Sequence, residues 1–171
     1  NGVLVSNNGT NGFLYTFNSA TNSWVQVNGI TLSNLNDVVY VSATDAFVVG
    51  KNGIVLKTTN NGANWNARPF PESGAELIKV RNVSPEVIVY DTDGNQWLSS
   101  GGGTSWTKSN NIFGFAVGEK LTDLEFTSPA TGVAISNYNN IFTSGGGSWT
   151  KTNSVKPVSL NKVTGNGGNI I

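Results

Sequence analysis

Residues 57–65 read Lys-Thr-Thr-Asn-Asn-Gly-Ala-Asn-Trp (KTTNNGANW), directly after the apolar run Ile54-Val55-Leu56. Gly62 offers the left-handed backbone that a tight turn requires. Thr58 and Asn60 have short polar side chains that hydrogen-bond turn backbones. A Trp closing such a turn is either a platform for a ligand or a staple that packs over the turn. Periodicity decides between them. Trp24 (TFNSATNSW), Trp65, Trp106 (SSGGGTSW) and Trp149 (TSGGGSW) recur at intervals of about 40 residues, each after a Gly- or Asn-rich turn. A ligand platform has no reason to repeat at that period, whereas a folding unit does. Folding one Trp over its turn hides roughly 150–250 Å², on the order of 4–6 kcal/mol gross at about 25 cal/mol/Å².

The same period runs through the rest of the chain. A short apolar run precedes each turn: GFLYT (12–16), GIVLKT (53–58), GNQWLSS (94–100) and NIFTS (140–144). Further upstream stands a run opening on Leu: LNDVVYV (35–41), LIKVRNV (77–83), LTDLEF (121–126) and LNKV (160–163). Between them lie VLVS (3–6), FVVG (47–50), VIVY (87–90) and VAIS (133–136). Each unit therefore predicts four short strands, a-b-c-d, with the Trp opening strand d. Four antiparallel strands repeating at this spacing are a β-propeller blade, so the expected fold class is all-β. The units fall at about residues 1–28, 31–70, 75–109 and 120–153 of one domain.

The turn units resemble the Asp-box, or BNR, repeat: hydroxyl residue, any, Asp, any, Gly, any, Thr, Trp. Thr58 to Trp65 matches in register with Asn60 at the Asp position, and Ser99 to Trp106 matches with Gly101 there. Gly62 and Gly103 keep the glycine. Thr143–Trp149 is one residue short and Thr16–Trp24 one residue long. Across the whole chain the unit is similar to the repeat group typified by photosystem II assembly factors, which also occurs in secreted bacterial and phage proteins. The resemblance implies a propeller; it leaves sialidases, sorting receptors, assembly factors and adhesin modules all open as functions.

Strands b, c and d of one unit come first, then three full units, then a strand a. Two outcomes are expected: residues 157–171 complete the first blade through LNKV (160–163), or they start a further blade, with GGNII (167–171) as its strand b. The second implies a longer array.

Composition narrows the function. Charged residues make up 12% of the 171 and hydrophobic residues 37%; Lys and Arg number 10, as do Asp and Glu. That balance gives no electrostatic footprint for nucleic acid or anionic lipid. The longest apolar stretch, IFGFAVG (112–118), is too short to span a bilayer, so no membrane insertion is expected. Neither His nor Cys occurs, which removes the usual nucleophilic triads and almost every zinc site. Sialidases grip a carboxylate with three Arg; only Arg68 and Arg81 are present. Asp123 and Glu125, and Asp91 and Asp93, are carboxylate pairs that strand-edge and turn roles explain as well as glycosidase chemistry does. Asp91-Thr92-Asp93-Gly94-Asn95 resembles part of a calcium loop without its distal Glu, and a b–c turn accounts for it. No catalytic residue, cofactor or metal is expected.

For binding, alignment on the strand-a Leu puts Asp37, Lys79, Asp123 and Lys162 at one register, where acid and base alternate. They are candidates for a polar ligand site or for a self-neutralising seal. Trp97 shares the register of Leu56; core packing and sugar stacking are both open to it. Arg68 and Arg81 are further surface candidates. The resulting expectation is a non-catalytic extracellular, cell-surface or virion module (periplasmic as the alternative), part of a larger chain or assembly, binding protein or glycan. The alternatives are an assembly factor for a membrane complex and the non-catalytic part of a glycoside hydrolase.

Overall fold

The computed structural model describes residues 2–28, 33–152, 159–166 and 169–170. The strands are β1 (Val3–Asn7), β2 (Gly12–Asn18), β3 (Ser23–Gln26), β4 (Leu35–Tyr40), β5 (Ala46–Gly50), β6 (Val55–Thr58), β7 (Asn66–Ala67), β8 (Leu77–Val83), β9 (Glu86–Asp91), β10 (Gln96–Ser100), β11 (Ser105–Ser109), β12 (Leu121–Phe126), β13 (Thr131–Ser136), β14 (Ile141–Gly145), β15 (Trp149–Thr152), β16 (Gly165–Asn166) and β17 (Asn169–Ile170). A single turn of 3-10 helix covers Lys51–Gly53. The sheets β4–β7, β8–β11 and β12–β15 each have four strands in chain order; β1–β3 form a three-stranded sheet and β16–β17 a hairpin. Such sequential four-stranded sheets are propeller blades, and the fold class is the all-β propeller. Leu160–Val163 belongs to no strand, and among the described residues the first sheet is formed by β1, β2 and β3. Gly167, Gly168 and Ile171 of GGNII lie outside the described residues.

The chain divides into two compact units, Asn1–Tyr90 with Trp97–Lys108, and Asp91–Gln96 with Ser109–Ile171. In the first unit, β5 shows how the sequence builds the core. Its five residues are all buried, because both faces of the strand are covered. Val48 points into a cluster with Leu14, Leu35 and Leu56, flanked by Val3, Val5 and Trp65. Phe47 and Val49 point the other way, into a cluster with Val55, Val87, Val89 and Trp97. A strand covered on both faces has no polar alternation, as the run Phe-Val-Val records. In the second unit the core gathers Leu121, Leu124, Ala134, Ile135, Phe142 and Phe113. Phe113 stacks on Phe115 at 5.0 Å, and both meet Phe142 edge-on.

The opening turn is held by its own side chains. Thr58, fully buried, accepts at Oγ1 from the Gly62 N–H (2.9 Å) and the Asn60 N–H (3.3 Å). Asn60 Oδ1 accepts from the Asn64 N–H at 2.9 Å, and Trp65 Nε1 donates to the Gly62 carbonyl at 3.1 Å. Gly62 has φ of 84°, which an L side chain adopts only under strain. Trp106 donates to the Pro69 carbonyl and packs edge-on to Phe70. Trp149 packs on Phe113 and Phe126. Trp24 differs: it is 49% exposed and rests against Phe17.

Candidate functional site

The first strands of the sheets carry the charged register. Leu35, Leu77 and Leu121 anchor β4, β8 and β12 in the core. One residue beyond Leu35 and Leu121 the pairing slips by a bulge, which turns the Asp carboxylate out of the sheet ladder. Asp37 Oδ2 then accepts the Val80 N–H at 2.9 Å, and Asp123 Oδ2 accepts the Val163 N–H at the same distance. The two aspartates thus do the same task in each unit, tying a first strand to the backbone about 40 residues on. Lys79 is half-buried and Lys162 exposed at the corresponding positions.

Asparagines extend these ties. Asn7 receives the Leu35 N–H and donates to the Leu35 carbonyl, both at 2.7 Å. Asn36 donates to the Leu77 carbonyl and Asn82 to that of Tyr40. One amide side chain offers both a donor and an acceptor, so it can satisfy a strand edge that no ladder reaches. The abundance of Asn has this structural use. The first strands β4 and β8 of the first unit thus carry Asn36, Asp37, Lys79, Arg81 and Asn82, all half-buried or exposed. Arg81 hydrogen-bonds Tyr90; burial pushes the Tyr90 hydroxyl above its ordinary pKa, and the guanidinium pulls against that.

The remaining candidates fall elsewhere. Trp97 is 3% exposed inside the core, with Phe70 at 4.7 Å on its ring and the Lys108 ammonium 4.8 Å from its centroid. Its indole leaves no face for a sugar, because the position it shares with Leu56 points into the covered side of the sheet. Arg68 follows β7, the fourth strand of its sheet, with its stem against Gly103. Arg81 stands on β8, the first strand of the next, so the two arginines do not share a strand row. Ser99 lacks a turn aspartate, and Glu86 of β9 takes that place. Glu86 accepts from Ser99 Oγ (2.5 Å) and from the Gly102 N–H (3.1 Å). Burial pushes the Glu86 carboxyl up, but these bonds and the Lys57 charge bring it below the usual range.

In the second unit, Asp91 accepts from both the backbone and the side chain of Asn95, and Asp93 pairs with Lys120. The residues that resemble a calcium loop are therefore engaged in a turn. Among the described residues no three His, Cys, Asp or Glu side chains converge as metal ligands. A shallow hollow of about 260 Å³, lined by Gly9, Thr10, Ser33, Asn34, Lys51 and Asn52, was not foreseen from the sequence. Its only trace there is a pair of Asn-Gly turns.

These sheets define an all-β propeller whose first strands carry half-buried and exposed polar side chains. No protein-family model matches the chain. It is similar to the photosystem II assembly lipoprotein Ycf48 of Synechococcus sp. (strain CC9902), with 28% identity over 111 residues. The match covers 62% of this chain and 33% of that protein, so the chain spans about a third of the relative's length. Among solved structures it overlays on YCF48 from Cyanidioschyzon merolae with a TM-score of 0.64 and 17% identity, covering 90% of this chain and 54% of that one. It also overlays on YCF48 bound to D1 peptide with a TM-score of 0.56 and 16% identity, covering 68% and 38%.

The extracellular, cell-surface or virion location expected from composition is overturned by this similarity. The relative is a lipoprotein of photosystem II assembly, a membrane-associated setting. Composition misled because low charge and abundant Asn, Thr and Ser describe any well-hydrated β surface with many turns, whatever compartment it faces. The ligand of the second overlaid neighbour is a D1 peptide, and the comparisons give glycan binding no support.

Proposed function

We propose that the chain is a non-enzymatic, protein-binding propeller segment of the assembly-factor kind, working at a membrane on a segment of a membrane-complex subunit. The observation that carries this reading is the 111-residue similarity to a photosystem II assembly lipoprotein. The overlay on that protein with a peptide bound supports a peptide-like ligand. The polar side chains Asn36, Asp37, Lys79, Arg81 and Asn82 of β4 and β8 are the proposed contact residues in the first unit, with Asp123 and Lys162 at the matching register of the second. Side-chain amides, a guanidinium and an ammonium suit an extended chain, whose backbone offers carbonyls and whose acidic groups attract the cations.

The test is fluorescence anisotropy with a labelled D1 peptide and a scrambled control. The expected result is saturable binding of the D1 peptide alone, weakened about tenfold or more in Lys79→Ala with Arg81→Ala, as for interface hot spots. Equal binding of the scrambled peptide, or none of either, overturns the reading. Arg81 touches Tyr90, so circular dichroism of the variant must match the wild type.

A further inference from the structure

Asn-Gly is the dipeptide in which a side-chain amide is most open to attack by its own backbone, because glycine leaves the following nitrogen unshielded. The sequence contains it seven times. At Asn8, Asn11, Asn52 and Asn61 both residues are described. The attacking nitrogen has to shed its proton and approach the side-chain carbon, so a hydrogen bond that holds its N–H opposes the reaction.

Three of the four sites are held. Gly53 donates its N–H to the Ala75 carbonyl at 2.8 Å, and Gly62 donates to Thr58 Oγ1 at 2.9 Å. Gly12 is buried at the head of β2, where a Cβ would stand 2.6 Å from both the Ser33 carbonyl and Leu35 Cγ. The backbone there has little room to swing toward Asn11. Gly9 differs on each count. It lies exposed in the turn between β1 and β2, with φ of 95° and open space where a Cβ would be. Among the described residues its N–H meets no acceptor.

The Asn8 side chain is also arranged for the attack. Its Oδ1 accepts the Asn11 N–H at 2.9 Å, and the Thr10 N–H and hydroxyl at 3.2 Å each. These bonds fold the amide along the chain, past the Gly9 nitrogen. They also set three donors on the oxygen that turns negative as the nitrogen adds to Cγ, the logic of an oxyanion hole. Asn61 shows the opposite case: its Oδ1 is buried with no partner, so charge developing there would go unsupported.

From this we infer that Asn8 is a self-modifying site, which the fold selects for deamidation over Asn11, Asn52 and Asn61. Hydroxide takes the Gly9 N–H proton, the nitrogen bonds to Asn8 Cγ, and the Cγ–Nδ2 bond breaks to release ammonia. Water then opens the resulting cyclic imide at either carbonyl, leaving aspartate or isoaspartate; one water enters and one ammonia leaves. Gly9 and Thr10 line the hollow that Lys51 also lines, so the new carboxylate stands on the turn at its rim. A chain balanced at 10 acidic and 10 basic residues becomes net negative.

The test keeps the wild-type protein at mildly alkaline pH, folded and in urea. Peptic digestion and tandem mass spectrometry locate each converted Asn over time. In the folded protein Asn8 should convert about tenfold or more faster than Asn11, Asn52 or Asn61, the cost of first breaking a hydrogen bond at the held sites. Both aspartate and isoaspartate should appear at position 8, faster as pH rises, with a more acidic band on isoelectric focusing. In urea the four rates should converge. Earlier conversion of Asn11, Asn52 or Asn61 in the folded protein overturns the proposal. So does an Asn8 that stays intact while urea lets all four react, or an Asn8 lead that urea leaves undiminished.

Discussion

Replacement of Glu119 tests how a buried carboxylate organises the second unit. Glu119 is 4% exposed. Its Oε1 accepts from Ser136 Oγ at 2.6 Å and from Asn140 Nδ2 at 2.7 Å, and its Oε2 accepts from the Ala116 N–H at 3.1 Å. Burial pushes this carboxyl up, yet the three bonds and the Lys151 charge outweigh it and leave the group below its ordinary pKa. In Glu119→Gln the amide oxygen can keep Ser136 and Asn140, but the NH2 then faces the Ala116 N–H, donor against donor. One buried donor left unpaired costs about 1–3 kcal/mol. Glu119→Ala leaves all three donors without their acceptor, at about 1–3 kcal/mol for each one that stays buried, so it should cost more than Glu119→Gln. Urea unfolding followed by Trp fluorescence should rank wild type above Gln above Ala at pH 7. A depressed folded-state pKa stabilises above the unfolded value of about 4.3, and that contribution is lost as pH falls through the folded value. The gap between wild type and Glu119→Gln should therefore be full at neutral pH and shrink below about pH 4. A Gln variant as stable as wild type at pH 7, or a gap that widens on acidification, would refute the reasoning.

Two further substitutions test the turn at residues 58–65. Thr58→Val removes the acceptor of the buried Gly62 N–H and should cost about 1–3 kcal/mol, read as a lower urea midpoint with unchanged slope. Gly62→Ala forces a left-handed residue and sets a Cβ 2.5 Å from Thr16 Cγ2. It should lose more than the roughly 1 kcal/mol of the backbone conformation alone, and in the double variant Thr16→Ser should recover part of the loss.

How much of this was legible beforehand differs by feature. The Trp period, the glycine at position 62 and the shared register of Leu56 and Trp97 were readable, because each depends on residues close in sequence or on a repeat of fixed length. The calcium-like segment was also read as a turn, from its Asp and Gly spacing. The role of Glu86 was not readable: it completes the Ser99 turn from another strand, across a pairing that only the folded sheet creates. Nor was the exposure of Trp24 evident. Its turn is one residue longer than that of Trp65 but keeps the same period, and its 49% exposure follows from packing that local residue types do not encode.

The sequence by itself determined the strand pattern, the turn chemistry and the repeat, since period-2 and period-40 signals are written in local residue types. Tertiary structure decided what the polar residues do. Asp37 is a candidate ligand group in the sequence, and in the fold it holds the Val80 N–H 43 residues away. The physical reason is that a hydrogen bond depends on distance and direction in space, and residues so far apart in the chain acquire both only when the sheets have packed.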